Sequence, residues 1–294
     1  MFQNSYQGGS SLEVFSPAAK NPLDKWKTSG VVSKQYDKAA KGYIVSLESA
    51  SAKMQLPRDE KKTPLGIVQP FLVFQIFLPP GKTFQIELAV SDSAKQRRRL
   101  MFTPGPKDLV LNPLHARIPN AFVQNNTWLN LCIDVPSIFH ECFKGSVFRS
   151  IDLIALSASC FCRKIFSLKH PLADAPDPEI SFDRLPARAE PIPKSLDFAA
   201  GVQSTIYLAN AKRVLAWIAE RAEESLDHSV IEESINTSLA TAKSAKQRHP
   251  APERKADKSL VMEIGTKSPK ADKGTTAFGG ANFATKNLSQ TSKS

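Results

Sequence analysis

In the stretch KTFQIELAV (Lys82–Val90), Phe84, Ile86, Leu88 and Val90 alternate with Thr83, Gln85, Glu87 and Ala89. That period of two is the signature of a strand with one face buried and the other wet. Similar short segments recur along the first part of the chain: Tyr43–Glu48, Phe71–Leu78, Arg98–Thr103, Thr127–Val135, Ile151–Ala158 and Cys162–Leu168. Between them stand Pro79-Pro80-Gly81, Pro104-Gly105-Pro106 and Asn125-Asn126, residues that break or turn strands. Only Pro136–Phe143 offers a helical turn, with proline near its start, where the missing amide is harmless. Short strands without long helices between them exclude a parallel α/β sheet and predict an all-β body, a sandwich or barrel, over residues 1–170. In the Thr127–Val135 strand, Leu129, Leu131, Ile133 and Val135 share the core face, leaving Trp128, Asn130, Cys132 and Asp134 on the more polar one.

Beyond Leu168 the pattern changes. Residues 171–200 are proline-rich and read as an extended linker. Residues 201–240 hold a helical segment, Thr205 to Asp227, in which Leu208, Ala211, Leu215, Ile218 and Ala222 follow helical spacing. That stripe has two uses, packing on its own domain or meeting a partner, since an isolated helix of this length is marginal in water. Residues 241–294, rich in Ser, Thr, Ala and Lys, predict a disordered tail.

Charge is unevenly spread. Residues 1–170 hold 22 Lys and Arg against 12 Asp and Glu, whereas residues 171–294 hold 17 against 16. A basic body implies an acidic partner: nucleic acid, an anionic membrane or an acidic protein surface. The opening MFQNSYQGG lacks the basic start and apolar run of a secretory signal. The most apolar stretch, PFLVFQIFLPP, is too short for a membrane span and carries Gln75 in its middle. Cys132, Cys142, Cys160 and Cys162 read as reduced thiols, because four cysteines in a chain this long make no disulfide framework, and Cys160-Phe161-Cys162 is spaced too closely for a zinc knuckle. No phosphate loop, His-Glu-x-x-His or paired catalytic roles emerge, and the five histidines are scattered. The expectation is a non-enzymatic protein with no cofactor, metal or small-molecule substrate.

Arg97-Arg98-Arg99 opens one of the strands. Strand alternation puts Arg98 with Leu100 and Phe102, at the rim of the core face, where it is structural and needs Glu87 or Asp92 as a partner. Arg97 and Arg99 then point to solvent together, a candidate partner-binding edge suited to carboxylates or phosphates. Arg163 and Lys164, on another strand, are further candidates. The same alternation splits them between faces and leaves one to join an exposed patch. Trp128 is counted as structural, and it is also the single aromatic nominated for a polar face.

Several elements carry a specific resemblance: Met1-Phe2-x-Asn4-x-x-Gln7-x-Gly9, Lys62-x-x-Leu65-Gly66 before Pro70-Phe71-Leu72-Val73, the strand before the three arginines, Trp128 heading a strand, and ASCFCRKIF at Ala158–Phe166. Together, and in this order, they resemble the domain of cilia- and flagella-associated protein twenty, in the longer form with a low-complexity tail. The resemblance implies a jelly-roll-like β-sandwich of carbohydrate-binding-module type. It also implies a structural or adaptor protein of cilia, centrioles or the axoneme, in cytoplasm and cytoskeleton. Its partners would be tubulin, doublet microtubules or another axonemal protein, and tubulin's acidic surface suits the basic body. Two other readings stay open: a nuclear nucleic-acid-associated protein using the same basic surface, and a glycan-binding module.

Overall fold

The computed structural model describes residues 1–105, 107–121, 123, 126–172 and 190–223. The expected tail 241–294, the linker residues 173–189 and the end of the helical segment lie outside them.

Two seven-stranded sheets face each other. The first contains β1 (Ser11–Phe15), β3 (Val32–Asp37), β4 (Gly42–Leu47), β6 (Phe71–Phe77), β11 (Trp128–Asp134), β13 (Cys160–Leu168) and β14 (Ser204–Ala209). Its order is β14-β11-β6-β13-β4-β3, and β1 takes over from β4 along the second half of β13. The second contains β2 (Lys27–Ser29), β5 (Lys53–Leu56), β7 (Gln85–Asp92), β8 (Arg97–Thr103), β9 (Val110–Leu111), β10 (His115–Pro119) and β12 (Phe148–Ser157), in the order β2-β5-β12-β7-β8-β10-β9. The fold is thus the expected jelly-roll-type β-sandwich.

Alternation builds the core between the sheets. Leu72, Phe74 and Ile76 of β6 and Leu129, Leu131 and Ile133 of β11 meet Ile86, Leu88 and Val90 of β7 and Leu100 and Phe102 of β8, all essentially without solvent contact. Helix α1 (Val135–Cys142) closes one end. Its N-cap Asp134 accepts from the Ser137 amide, and Ile138 and Phe139 enter the core.

The outer face of the first sheet is not wet, contrary to the polar face expected of β11. Val73, Cys132 and Phe166 form one buried cluster there, and Ile44 and Trp128 another. Residues 190–209, read as linker and helix start, run across this face and seal it with Leu196, Phe198 and Val202. Within this strap Ser204–Ala209 is a strand, parallel to β11, rather than the first turns of the helix. The reason is period two: Ile206 and Leu208 pack on the strap side while Tyr207 and Ala209 turn to the central core. The helix starts only after Asn210, whose side chain accepts from the Arg213 amide, and its described part, α2, covers residues 211–223. Its Val214 is buried on the sandwich, with Trp217 and Ile218 partly so, whereas Leu215 stays exposed.

Candidate binding faces

Arg98 stands where alternation puts it and takes Asp92, one of its two expected partners, at 2.7 Å. The side chains are only 14% and 5% exposed, so this is a nearly dry ion pair. Arg98 also donates to Ser146 Oγ and to the Pro113 carbonyl at 3.2 Å, and lies over the Phe143 ring. It pins the end of β8 to the loop before β10.

Arg97 and Arg99 share the opposite face, but they do not stand free in solvent. Glu60, from the loop after β5, accepts from Arg97 at 3.0 Å and from Arg99 at 2.9 Å. Arg99 also meets Glu87, which Lys53 approaches at 3.0 Å. The expectation of two solvated guanidiniums is corrected: two carboxylates already divide three cations. Nothing in strand periodicity shows that a loop some 37 residues earlier folds back onto this face.

Burial works to raise the Glu87 carboxyl, yet Lys53 and Arg99 outweigh it and hold Glu87 below its ordinary 4.5. A depressed carboxylate stabilises the fold above its unfolded-state value and loses that contribution as pH falls through the lower folded-state value. Glu87→Gln should therefore cost stability at neutral pH, and the gap from wild type should close as pH falls below the ordinary 4.5 and through the lowered folded-state value. Urea midpoints across that range check this. A gap that stays constant would show that the carboxylate's charge is irrelevant.

Arg163 and Lys164 behave differently from the alternating reading. β13 shifts register against β6 between Cys162 and Lys164, so one extra residue turns both cations to the strap side. Arg163 donates to Gln75 Oε1 and to the carbonyls of Leu196 (3.3 Å) and Asp197 (2.8 Å), and its guanidinium covers the Phe198 ring. Lys164 donates to the Ser195 carbonyl at 2.7 Å and pairs with Glu13 at 3.2 Å. Gln75, buried beside them, donates to Asn130 and to the Leu196 carbonyl. This pair holds the strap down. Alternation alone hides the bulge, so the sequence split them.

Trp128 is 3% exposed, packed at 5.6 Å from both Phe77 and Phe198. Its role is structural, and it offers no platform to a sugar. All four cysteines are buried, and burial pushes the Cys142 thiol up to about 12.

The resembling elements converge in space. The Met1 amine donates to the Pro64 carbonyl and the Phe2 amide to the Leu65 carbonyl. Gln7 donates to the Phe2 and Gly66 carbonyls and accepts from the Val68 amide at 2.9 Å. Gly66 has φ +68°, a conformation that favours glycine, and a Cβ there would lie 2.2 Å from Gln3 Cγ and displace that side chain. The N-terminal motif and the Leu65-Gly66 motif are two halves of one lock. The profile of the CFA20 domain matches residues 1–178, which takes in thirteen of the fourteen strands among the described residues and both halves of that lock. This chain belongs to the CFA20 domain family.

The family is that of the cilia- and flagella-associated proteins, and residues 1–178, with β1 to β13 and the N-terminal lock, are the part of this CFA20 protein that matches it. Among solved structures, that of an agarase, AgWH50C, matches over 56% of this chain and 25% of its own, at 7% identity and a TM-score of 0.31. An exo-beta-agarase matches over 54% of this chain and 24% of its own, at 10% identity and a TM-score of 0.30. The chain spans about a quarter of the length of either agarase. Likeness at that level carries no reading of activity.

Proposed function

We propose that this CFA20 protein is a non-enzymatic structural or adaptor component of the cilium, docking its basic sandwich on axonemal microtubules or on an acidic axonemal partner. The observation that carries the reading is the family match over residues 1–178, which hold every described strand of the sandwich but β14. The excess of 22 cations over 12 anions within residues 1–170 supports it, because a surface of that sign favours an acidic polymer. The strap and the described part of α2 pack on that body through Leu196, Phe198 and Val214.

Co-sedimentation of the full chain with detergent-stripped doublets, beside single microtubules and duplex DNA, tests this. Retention on doublets or microtubules at physiological salt, with DNA unable to compete, is the expected result. Pelleting only with DNA would transfer the protein to the nuclear reading, and pelleting with nothing would end the docking reading.

A further inference from the structure

The three-arginine strand is largely neutralised, but another cation of the same sheet is not. On the outer face, the cross-strand register of β7, β8, β10 and β9 lines up Glu87, Met101, Arg117 and Val110 in one row. Past that row opens a groove of about 470 Å³ lined by Gln85, Met101, Thr103, Pro104, Val110 and Arg117. Arg117 is exposed and has no ion-pair partner among the described residues, unlike the three arginines of β8. It is also the one charged side chain among the described lining residues. Beside it, Val110, Leu111 and Leu114 are 52%, 47% and 45% exposed, three large apolar side chains within five residues at the free edge of the sheet.

We propose that this groove is a docking site for an acidic polypeptide segment with an aliphatic residue beside its carboxylates. Arg117 takes a carboxylate in a forked, charge-assisted pair, while Met101 and Val110 receive the aliphatic side chain. Single-stranded nucleic acid fits less well, since its bases stack on aromatic platforms and the groove lining contains no aromatic ring among the described residues. The proposal rests on the docking reading above and gives that reading its contact surface.

The test uses the full chain and a fluorescein-labelled peptide, Glu-Glu-Glu-Leu-Val-Glu-Glu-Glu, with its all-glutamine counterpart and a single-stranded oligonucleotide as comparisons. Anisotropy should report binding of the acidic peptide. Arg117→Glu should weaken it about tenfold, the scale of one lost charge-assisted pair, and Val110→Ser should weaken it by a smaller factor. Lys20→Glu, a charge reversal at an exposed residue of another loop, should leave it nearly unchanged. Equal losses for Arg117→Glu and Lys20→Glu would overturn the proposal in favour of diffuse attraction. So would binding of the glutamine peptide or the oligonucleotide with equal affinity. Arg117 and Val110 are both exposed, so unchanged melting temperatures will exclude misfolding as the cause. Because this readout needs no doublets, failure of the groove and failure of axonemal docking are separately visible.

Discussion

Trp128→Ala is expected to cost about 3–5 kcal/mol of folding stability, the range for deleting a buried large aromatic side chain. Trp128 sits between Phe77 and Phe198, each at 5.6 Å, and Phe77 is itself stacked on Phe161 at 5.8 Å. Phe77 and Phe161 belong to the sheet, while Phe198 belongs to the strap that seals it. Truncation therefore opens a cavity at the seam between sheet and strap and weakens both. Equilibrium unfolding in guanidinium measures the loss. Amide exchange should show β14 opening before β6, since β14 lies at the edge of the sheet and β6 within it. Had this face been solvated, as its polar neighbours Asn130 and Asp134 suggest, the same change would cost below about 0.5 kcal/mol. A loss that small would refute the sealed face.

The same face shows what the sequence discloses and what it withholds. Strands whose outward side stays polar, such as Gln85–Asp92, are legible, because burial on one side imposes period two. β6 and β11 are buried on both sides, so their sequences carry apolar residues on both faces and hide the second one. The cover that explains them lies some 65 residues or more downstream, in a stretch whose prolines read as linker. Short strands such as β5 and β10 escaped because four or five residues hold too little periodicity. The helix boundary was misplaced because Leu208 is in phase with both the strand before Asn210 and the helix after it. For the candidate site, local alternation correctly placed Arg98 against Asp92. It could not place Glu60 beside Arg97 and Arg99, nor foresee the extra residue that turns Arg163 and Lys164 together. Arg117 gave no signal at all, being a lone arginine in a stretch unassigned to any strand. Its isolation from carboxylates is a tertiary fact.

Asp92→Ala is the second change with a large expected effect, about 3–5 kcal/mol, because it strands a mostly buried cation. Asp92 Oδ2 accepts from Arg98 at 2.7 Å, and Oδ1 accepts from the Gln96 amide at 2.7 Å. Arg98 keeps Ser146, Gln96 and the Pro113 carbonyl as acceptors, but none of them carries a charge. Arg98→Met removes the cation and leaves Asp92 alone, and the pair of changes together removes both charges. A double-mutant cycle should therefore show the combined variant losing clearly less than the sum of the single losses, by more than about 1 kcal/mol. Additive losses would mean that the pair does not interact as its geometry implies. The consequence reaches the groove. Arg98 holds the Pro113 carbonyl, and the Arg99 amide donates to the Leu114 carbonyl at 2.8 Å, so the loop between β9 and β10, which bears Leu114, is anchored by the arginine strand. Asp92→Ala should accordingly weaken the acidic peptide's binding without touching any residue that lines the groove. In the proposed docking the three arginines would serve recognition indirectly: Arg97 and Arg99 are held by glutamates, and Arg98 fixes the edge beside Arg117, which has no ion-pair partner among the described residues.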